Sequence, residues 1–244
     1  MRVPGGAMLE VLIRNKTVHS DDGEVRAILR DVAFGVEKGE VVALLGPSGI
    51  GKSTILRIVT GLERGFEGSV RLPSGRVGMM FQEPRLLPWL RVDENLGLVQ
   101  PEGSPPPNVA ELLEEVLLPP GARGLLPSAL SLGMARRVAL ARALAVEPEF
   151  LVLDEPFASL DPGVASALGG RIAKLVQRRG ISVLFSTHDA DQALAIASRI
   201  LVLSGAPASL AADIAVPGDA ETRRRARDDL LGRFKFLSAA VHSF

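Results

Sequence analysis

The sequence predicts an α/β fold with a mostly parallel sheet, preceded by a small antiparallel β unit and interrupted by a helical insertion. Three observations carry this. Short apolar runs at 41–45, 150–153 and 182–185 lie between segments of helical periodicity, the pattern of buried strands in βα units. A glycine-rich stretch joins the first run to the helix after it, and between 85 and 129 prolines break the alternation of strand and helix.

Taken in order, residues 9–18 and 28–36 read as strands of an N-terminal antiparallel sheet, turned at Asp21-Asp22-Gly23. Strand 41–45 and helix 53–60 open the α/β core. In the insertion, Pro101, Pro105-Pro106-Pro107, Pro119-Pro120 and Gly121 bracket an acidic amphipathic helix at 109–118. The core resumes with helix 134–145, strand 150–154, helix 162–178, strand 182–187, helix 189–197 and strand 199–203. The expectation is one domain over 1–244: a core at 9–84 and 130–205, a helical subdomain at 85–129, and a short C-terminal tail at 206–244. In that tail, Arg223-Arg224-Arg225-Ala226-Arg227 sits beside Asp228 and Asp229, which reads as a solvated helix face.

Composition bounds the function. Lys+Arg 28 against Asp+Glu 28 leaves no net basic field, so nothing favours a nucleic-acid partner. With no cysteine, disulfides and thiolate metal sites are excluded. No stretch approaches the ~20 apolar residues that span a bilayer, and residues 1–9 lack the pattern of an export signal. The expectation is a cytoplasmic protein whose membrane role comes through another chain.

Gly46-Pro47-Ser48-Gly49-Ile50-Gly51-Lys52-Ser53-Thr54 fits G-x-x-x-x-G-K-[ST] and stands between a strand and a helix, the context that motif requires. Its glycines let the backbone close round phosphate oxygens, Lys52 reaches the β and γ phosphates, and the Ser53 hydroxyl can ligate magnesium. The run Phe150-Leu151-Val152-Leu153-Asp154-Glu155-Pro156 delivers two carboxylates to the carboxyl end of a strand, the edge where open parallel sheets bind ligands. Asp154 would hold magnesium; Glu155 would orient and deprotonate an attacking water.

The order Leu130-Ser131-Leu132-Gly133-Met134, running directly into the helical stretch at 135–144, resembles the signature motif of ABC-type ATPases. Gln82, ending the run Val77-Gly78-Met79-Met80-Phe81, is similar to that family's glutamine loop; Ser159-Leu160-Asp161 resembles its dimer loop, and His188 its switch histidine. The resemblance covers roughly Val25 to Leu203 and implies a P-loop NTPase core with an antiparallel β subdomain and an inserted helical subdomain. It further implies ATP and Mg2+ as cofactors, with Gln82 and His188 beside Glu155 in catalysis, and Ser53, Gln82 and Asp154 around the magnesium. An ATP-dependent homodimer is implied as well, with each ATP between the Lys52 loop of one subunit and Ser131, Leu132, Gly133 and Met134 of the other. Implied partners are transmembrane permease subunits and a solute-binding protein, holding the chain on the inner face of the cell membrane.

The segment Phe81-Gln82-Glu83-Pro84-Arg85-Leu86-Leu87-Pro88-Trp89-Leu90 resembles the ATPase subunits of bacterial nitrate, sulfonate and taurine importers. Its aromatic and leucine side chains could form a groove for a partner helix or the core of the helical region. A transporter for an unrelated solute or an exporter stays open. A long coiled-coil insertion is absent between Ser53 and Leu130. That spacing argues against the chromosome-maintenance type, and a non-transport ABC ATPase stays as the less favoured alternative. Two departures from the family stand out. Leu132 and Met134 replace a glycine and a glutamine of the signature, and 11–20 carries no Phe, Tyr or Trp to stack on adenine, leaving His19 or Val18 as substitutes.

Overall fold

The computed structural model describes residues 7–19, 23–72, 74–216 and 218–239. Strands β1 (Leu9–His19), β2 (Val25–Val36) and β4 (Glu67–Arg71) form a three-stranded antiparallel sheet with β1 in the middle. Asp21 and Asp22 of the expected turn lie outside the described residues; Gly23 takes a φ of 83°, as a tight reversal favours.

The second sheet has six strands in the order β5 (Val77–Met80), β6 (Phe150–Asp154), β7 (Ser182–Thr187), β3 (Val41–Leu45), β8 (Arg199–Ser204), β9 (Ser209–Ala215). The first five run parallel; β9 returns antiparallel on β8. Every residue of β3, β6 and β7 is buried, as strands covered on both faces must be. Alternation sorts them into two cores. Val42, Leu44, Val152 and Leu184 pack with Leu9, Val11, Ile13 and Phe34 of the antiparallel sheet and with helix α1 (Lys52–Val59). Ala43, Leu45, Leu151, Leu153, Val183 and Phe185 face the other helices.

Those helices are α2 (Val92–Gly97), α3 (Val109–Glu115), α4 (Leu132–Ala145), α5 (Pro162–Arg179) and α6 (Ala190–Ile196). Their ends follow the capping chemistry. The Asp161 side chain accepts from Gly163 N at 2.8 Å ahead of Pro162, and Gly180 closes α5 in the left-handed region. The helix expected over 109–118 stops at Glu115, because Leu117 takes a φ of 58° and turns the chain toward Pro119.

The chain beyond Gly205 continues the core rather than trailing from it. Strand β9 extends the main sheet, and α7 (Ala220–Arg233) lies on α6 with Leu230 fully buried and Arg227 Nη2 3.0 Å from Asp191 Oδ2. A short α8 (Lys235–Ala239) follows, with Leu237 buried. The arginines at 224 and 225 are exposed, as a solvated face requires. Among the described residues no helix is long and apolar enough to cross a membrane.

Candidate active site

The carboxyl ends of β3, β6 and β7 converge on one pocket. Leaving β3, the chain turns through Gly46, whose N–H donates to Thr187 O, and Pro47, whose carbonyl accepts from Ile50 N at 3.3 Å. Gly51 has a φ of 108°, and a Cβ there would stand 2.8 Å from Leu29 Cδ2; only glycine fits both demands. Helix α1 then begins with no side-chain cap and no acidic residue in its first turn. Its leading amides are left for an anion.

Lys52 is 6% exposed. Its Nζ donates to Gly46 O at 2.7 Å and Pro47 O at 3.1 Å, and lies 3.3 Å from Glu155 Oε1. Burial holds its ammonium below the ordinary lysine range, with the attraction of Glu155 opposing that shift and not overcoming it.

Asp154, 3% exposed, ends β6. Its Oδ1 accepts from Ser53 Oγ at 3.1 Å and from Ser186 Oγ at 2.7 Å. Glu155 follows in the left-handed region, φ 49°, an uncommon setting for a non-glycine residue that rotates its carboxylate back toward Lys52. Its N–H donates to Ser186 Oγ at 2.9 Å, and His188 Nδ1 lies 3.1 Å from Oε2. Ser186 therefore holds the Asp154 carboxylate and the Glu155 main chain at once. It went unnoticed in the sequence; the one signal was a hydroxyl residue at the end of an otherwise apolar strand.

A cavity of about 170 Å3 opens here, lined by Ser48, Gly49, Gly51, Lys52, Ser53, Thr54, Gln82 and Glu155. Gln82 thus joins the phosphate loop, although it comes from the far side of the sheet after β5. The residues suit magnesium. Ser53 Oγ and Asp154 Oδ1 meet, and no cluster of three His, Cys, Asp or Glu exists among the described residues. That is the donor set of a cation completed by phosphate oxygens and water.

Ser131, Leu132, Gly133 and Met134 line no part of this cavity. Ser131 is the N-cap of α4, accepting from Met134 N at 3.2 Å, and Leu132 is 55% exposed beside it. A Cβ on Gly133 would stand 3.2 Å from Leu160 Cδ2, so the signature turn packs on the Ser159–Asp161 loop of its own chain. In that loop Ser159 takes a φ of 61°.

Two arginines of α4 were also missed. Arg136, buried, donates to Ala158 O, and Arg142 donates to Arg85 O at 2.8 Å and Pro84 O at 2.9 Å. They tie the signature helix to the loops of Ser159 and Gln82. On the helical face, Trp89 is 70% exposed, which removes it from the core. The fully enclosed Asn95 fixes its loop by accepting from Leu87 N and donating to Leu87 O, Leu90 O and Arg91 O. The side chain of His19 lies outside the described residues, and Val18 is 37% exposed.

The family model described as ABC transporter matches residues 29–158. The aliphatic sulfonates import ATP-binding protein of Pseudomonas syringae pv. tomato is 45% identical over 208 residues, 85% of this chain and 88% of that protein. Its namesake in Burkholderia lata is 46% identical over 199 residues, 78% of this chain and 72% of that one. Among solved structures, a dimeric ATP-binding cassette in a post-hydrolysis state with ADP and phosphate superposes with a TM-score of 0.79 at 28% identity, covering 87% of this chain and all of that one. With the phosphate loop, paired carboxylates and signature turn placed as described, the chain belongs to the ABC transporter family, as an ATP-binding and ATP-hydrolysing cassette subunit.

Proposed function

We propose that this protein powers a bacterial importer of aliphatic sulfonates, acting as an ATP-dependent homodimer held at the cytoplasmic face of the membrane by permease subunits, with a solute-binding protein delivering the cargo. The observation that carries the mechanism is the meeting of Lys52, Ser53, Gln82 and Glu155 in one pocket that the signature residues do not line, with Asp154 bonded to Ser53 and His188 to Glu155 behind them. The cargo reading rests on the names of relatives 44–46% identical to this chain.

The amides of the phosphate loop and Lys52 bind the triphosphate, exchanging the Gly46 and Pro47 carbonyls for phosphate oxygens. Ser53, Asp154 and Gln82 would hold magnesium, which when bound neutralises charge on the β and γ phosphates. Glu155 accepts the proton of the attacking water, and His188, in contact with its carboxylate, keeps that oxygen aimed. Ser131 and Gly133, exposed and half-buried on a separate surface, complete the site from the second subunit. Closure of the pair drives the permease; hydrolysis releases it.

The test is reconstitution of the complete transporter in vesicles. ATP turnover stimulated by an alkanesulfonate and its binding protein supports the reading; stimulation by an unrelated solute alone would replace the cargo while leaving the ATPase in place.

A further inference from the structure

Ser186 is fully enclosed near the end of β7, directly opposite Asp154 in the β6–β7 register. A serine hydroxyl has one proton to give and lone pairs that accept. Here the proton goes to Asp154 Oδ1 at 2.7 Å, and the oxygen accepts the Glu155 N–H at 2.9 Å. Asp154 and Glu155 are themselves buried. The result is a dry chain of two hydrogen bonds with one direction, in which each bond polarises the other.

Glu155 needs that hold. It precedes Pro156, a position that favours extended backbone, yet it stands at φ 49°, where glycine sits freely and a side chain does not. Such a conformation lasts only while its surroundings fix it. Ala158 N donates to the Glu155 carbonyl at 3.2 Å, and Lys52 and His188 touch the carboxylate. In the proposed mechanism Lys52 goes over to the phosphates when nucleotide binds, so Glu155 is least restrained at the moment it must take a proton. His188 has its own support: Thr187 Oγ1 accepts from Asp189 N and donates to Gln192 Oε1, both at 3.0 Å. The support of the Glu155 N–H is Ser186. Without that hydroxyl a buried amide loses its partner, and the peptide is free to turn toward the extended region, carrying the carboxylate away from Lys52.

Resting on the assignment of Glu155 as proton acceptor, we infer that Ser186 is a positioning residue for hydrolysis. Its hydroxyl keeps Glu155 in the left-handed setting that aims the carboxylate at the attacking water. It acts on the chemical step and leaves nucleotide binding alone.

The experiment measures ATP turnover and calorimetric MgADP affinity of the full chain, for the wild type, Ser186→Ala, Ser186→Thr, Glu155→Gln and the double variant Ser186→Ala/Glu155→Gln. Ser186→Ala should lower kcat by about 10- to 100-fold, with KM and MgADP affinity within about 3-fold of the wild type. Ser186→Thr carries the same donor and acceptor, so its kcat should stay within about 5-fold of the wild type. In the Glu155→Gln background, adding Ser186→Ala should change the residual turnover by less than about 2-fold, because no base is left to aim. A further loss there as large as in the wild-type background would route Ser186 through Asp154 or the fold and overturns the proposal. So does an unchanged kcat in Ser186→Ala, a loss in Ser186→Thr equal to that in Ser186→Ala, or loss of MgADP binding in Ser186→Ala, which would make the hydroxyl a structural element of the pocket. Near-normal turnover in Glu155→Gln alone would instead overturn the base assignment, and the proposal with it.

Discussion

Lys52 and Glu155 form an enclosed ion pair at the mouth of the phosphate loop, Nζ to Oε1 3.3 Å, with His188 on the other carboxylate oxygen. In the proposed mechanism the cation for phosphate starts out turned toward the base for water, and nucleotide must separate them.

Replacing Glu155 with Gln removes the proton acceptor and weakens its hold on Lys52. Hydrolysis should fall by roughly 10²–10⁴, while MgATP affinity stays equal or rises and the protein accumulates as an ATP-bound dimer. Asp154→Asn should behave differently, losing magnesium-dependent affinity. Single-turnover hydrolysis measured beside dimer mass separates the two; near-normal turnover in Glu155→Gln would take Glu155 out of the mechanism.

The depressed pKa of Lys52 gives two pH effects of opposite sign. Burial makes the folded protein release this proton below the ordinary value of 10.5, so between the two values the unfolded chain binds more protons. Folding stability contributed by Lys52 therefore rises with pH across that window. Triphosphate affinity falls over the same interval, because the loop loses its cation. Denaturation and ATP titration at alkaline pH below 10.5 should show both slopes in the wild type, and neither in Lys52→Met. Parallel slopes in the two proteins would place the titration elsewhere.

How much of this was legible in the sequence depended on how local the chemistry is. The phosphate loop is contiguous, so Gly46 through Thr54 could be read directly, and the paired carboxylates stand at the end of an obvious strand. Ser186 could not be found the same way. Its role comes from lying opposite Asp154 in the β6–β7 register, a relation between segments far apart in sequence. Strand β9 was missed because Leu210, Ala212 and Ile214 are only half covered at a sheet edge, which leaves a faint alternation. The arginine run of α7 could be read as a solvated helix face, but not how that helix is fastened to the core. Its attachment is the single buried Leu230 and the Arg227–Asp191 pair.

Trp89 stands 70% exposed on a loop that Asn95 clamps from beneath. Trp89→Glu should shift the stability of the isolated subunit by no more than about 0.5 kcal/mol and weaken assembly with the permease strongly, as loss of an aromatic anchor does. Asn95→Ala should destabilise the subunit itself by about 2 kcal/mol, since Leu87 N and three carbonyls lose their enclosed partner. Denaturant melts and co-purification check both; a large stability loss in Trp89→Glu would make the ring structural.

Ser131 has two separable duties. As the N-cap of α4 its oxygen accepts from Met134 N, and as an exposed group it would face the γ phosphate held by the second subunit. Ser131→Ala removes the cap and should cost about 1 kcal/mol of stability. Ser131→Asp keeps a capping oxygen, and favours the positive end of the helix, so the subunit should fold as well as the wild type. Its added negative charge would oppose the phosphate across the interface, blocking closure while each Lys52 loop still binds ATP. The expected result is wild-type melting, wild-type nucleotide affinity in the monomer, and loss of both ATP-driven dimerisation and hydrolysis. Mixing Ser131→Asp with Lys52→Ala subunits then tests the geometry. The one composite site that retains Lys52 from the first chain meets Ser131 from the second, so that mixed dimer should recover part of the activity. Full hydrolysis by the Ser131→Asp homodimer would show that this turn does not act across subunits.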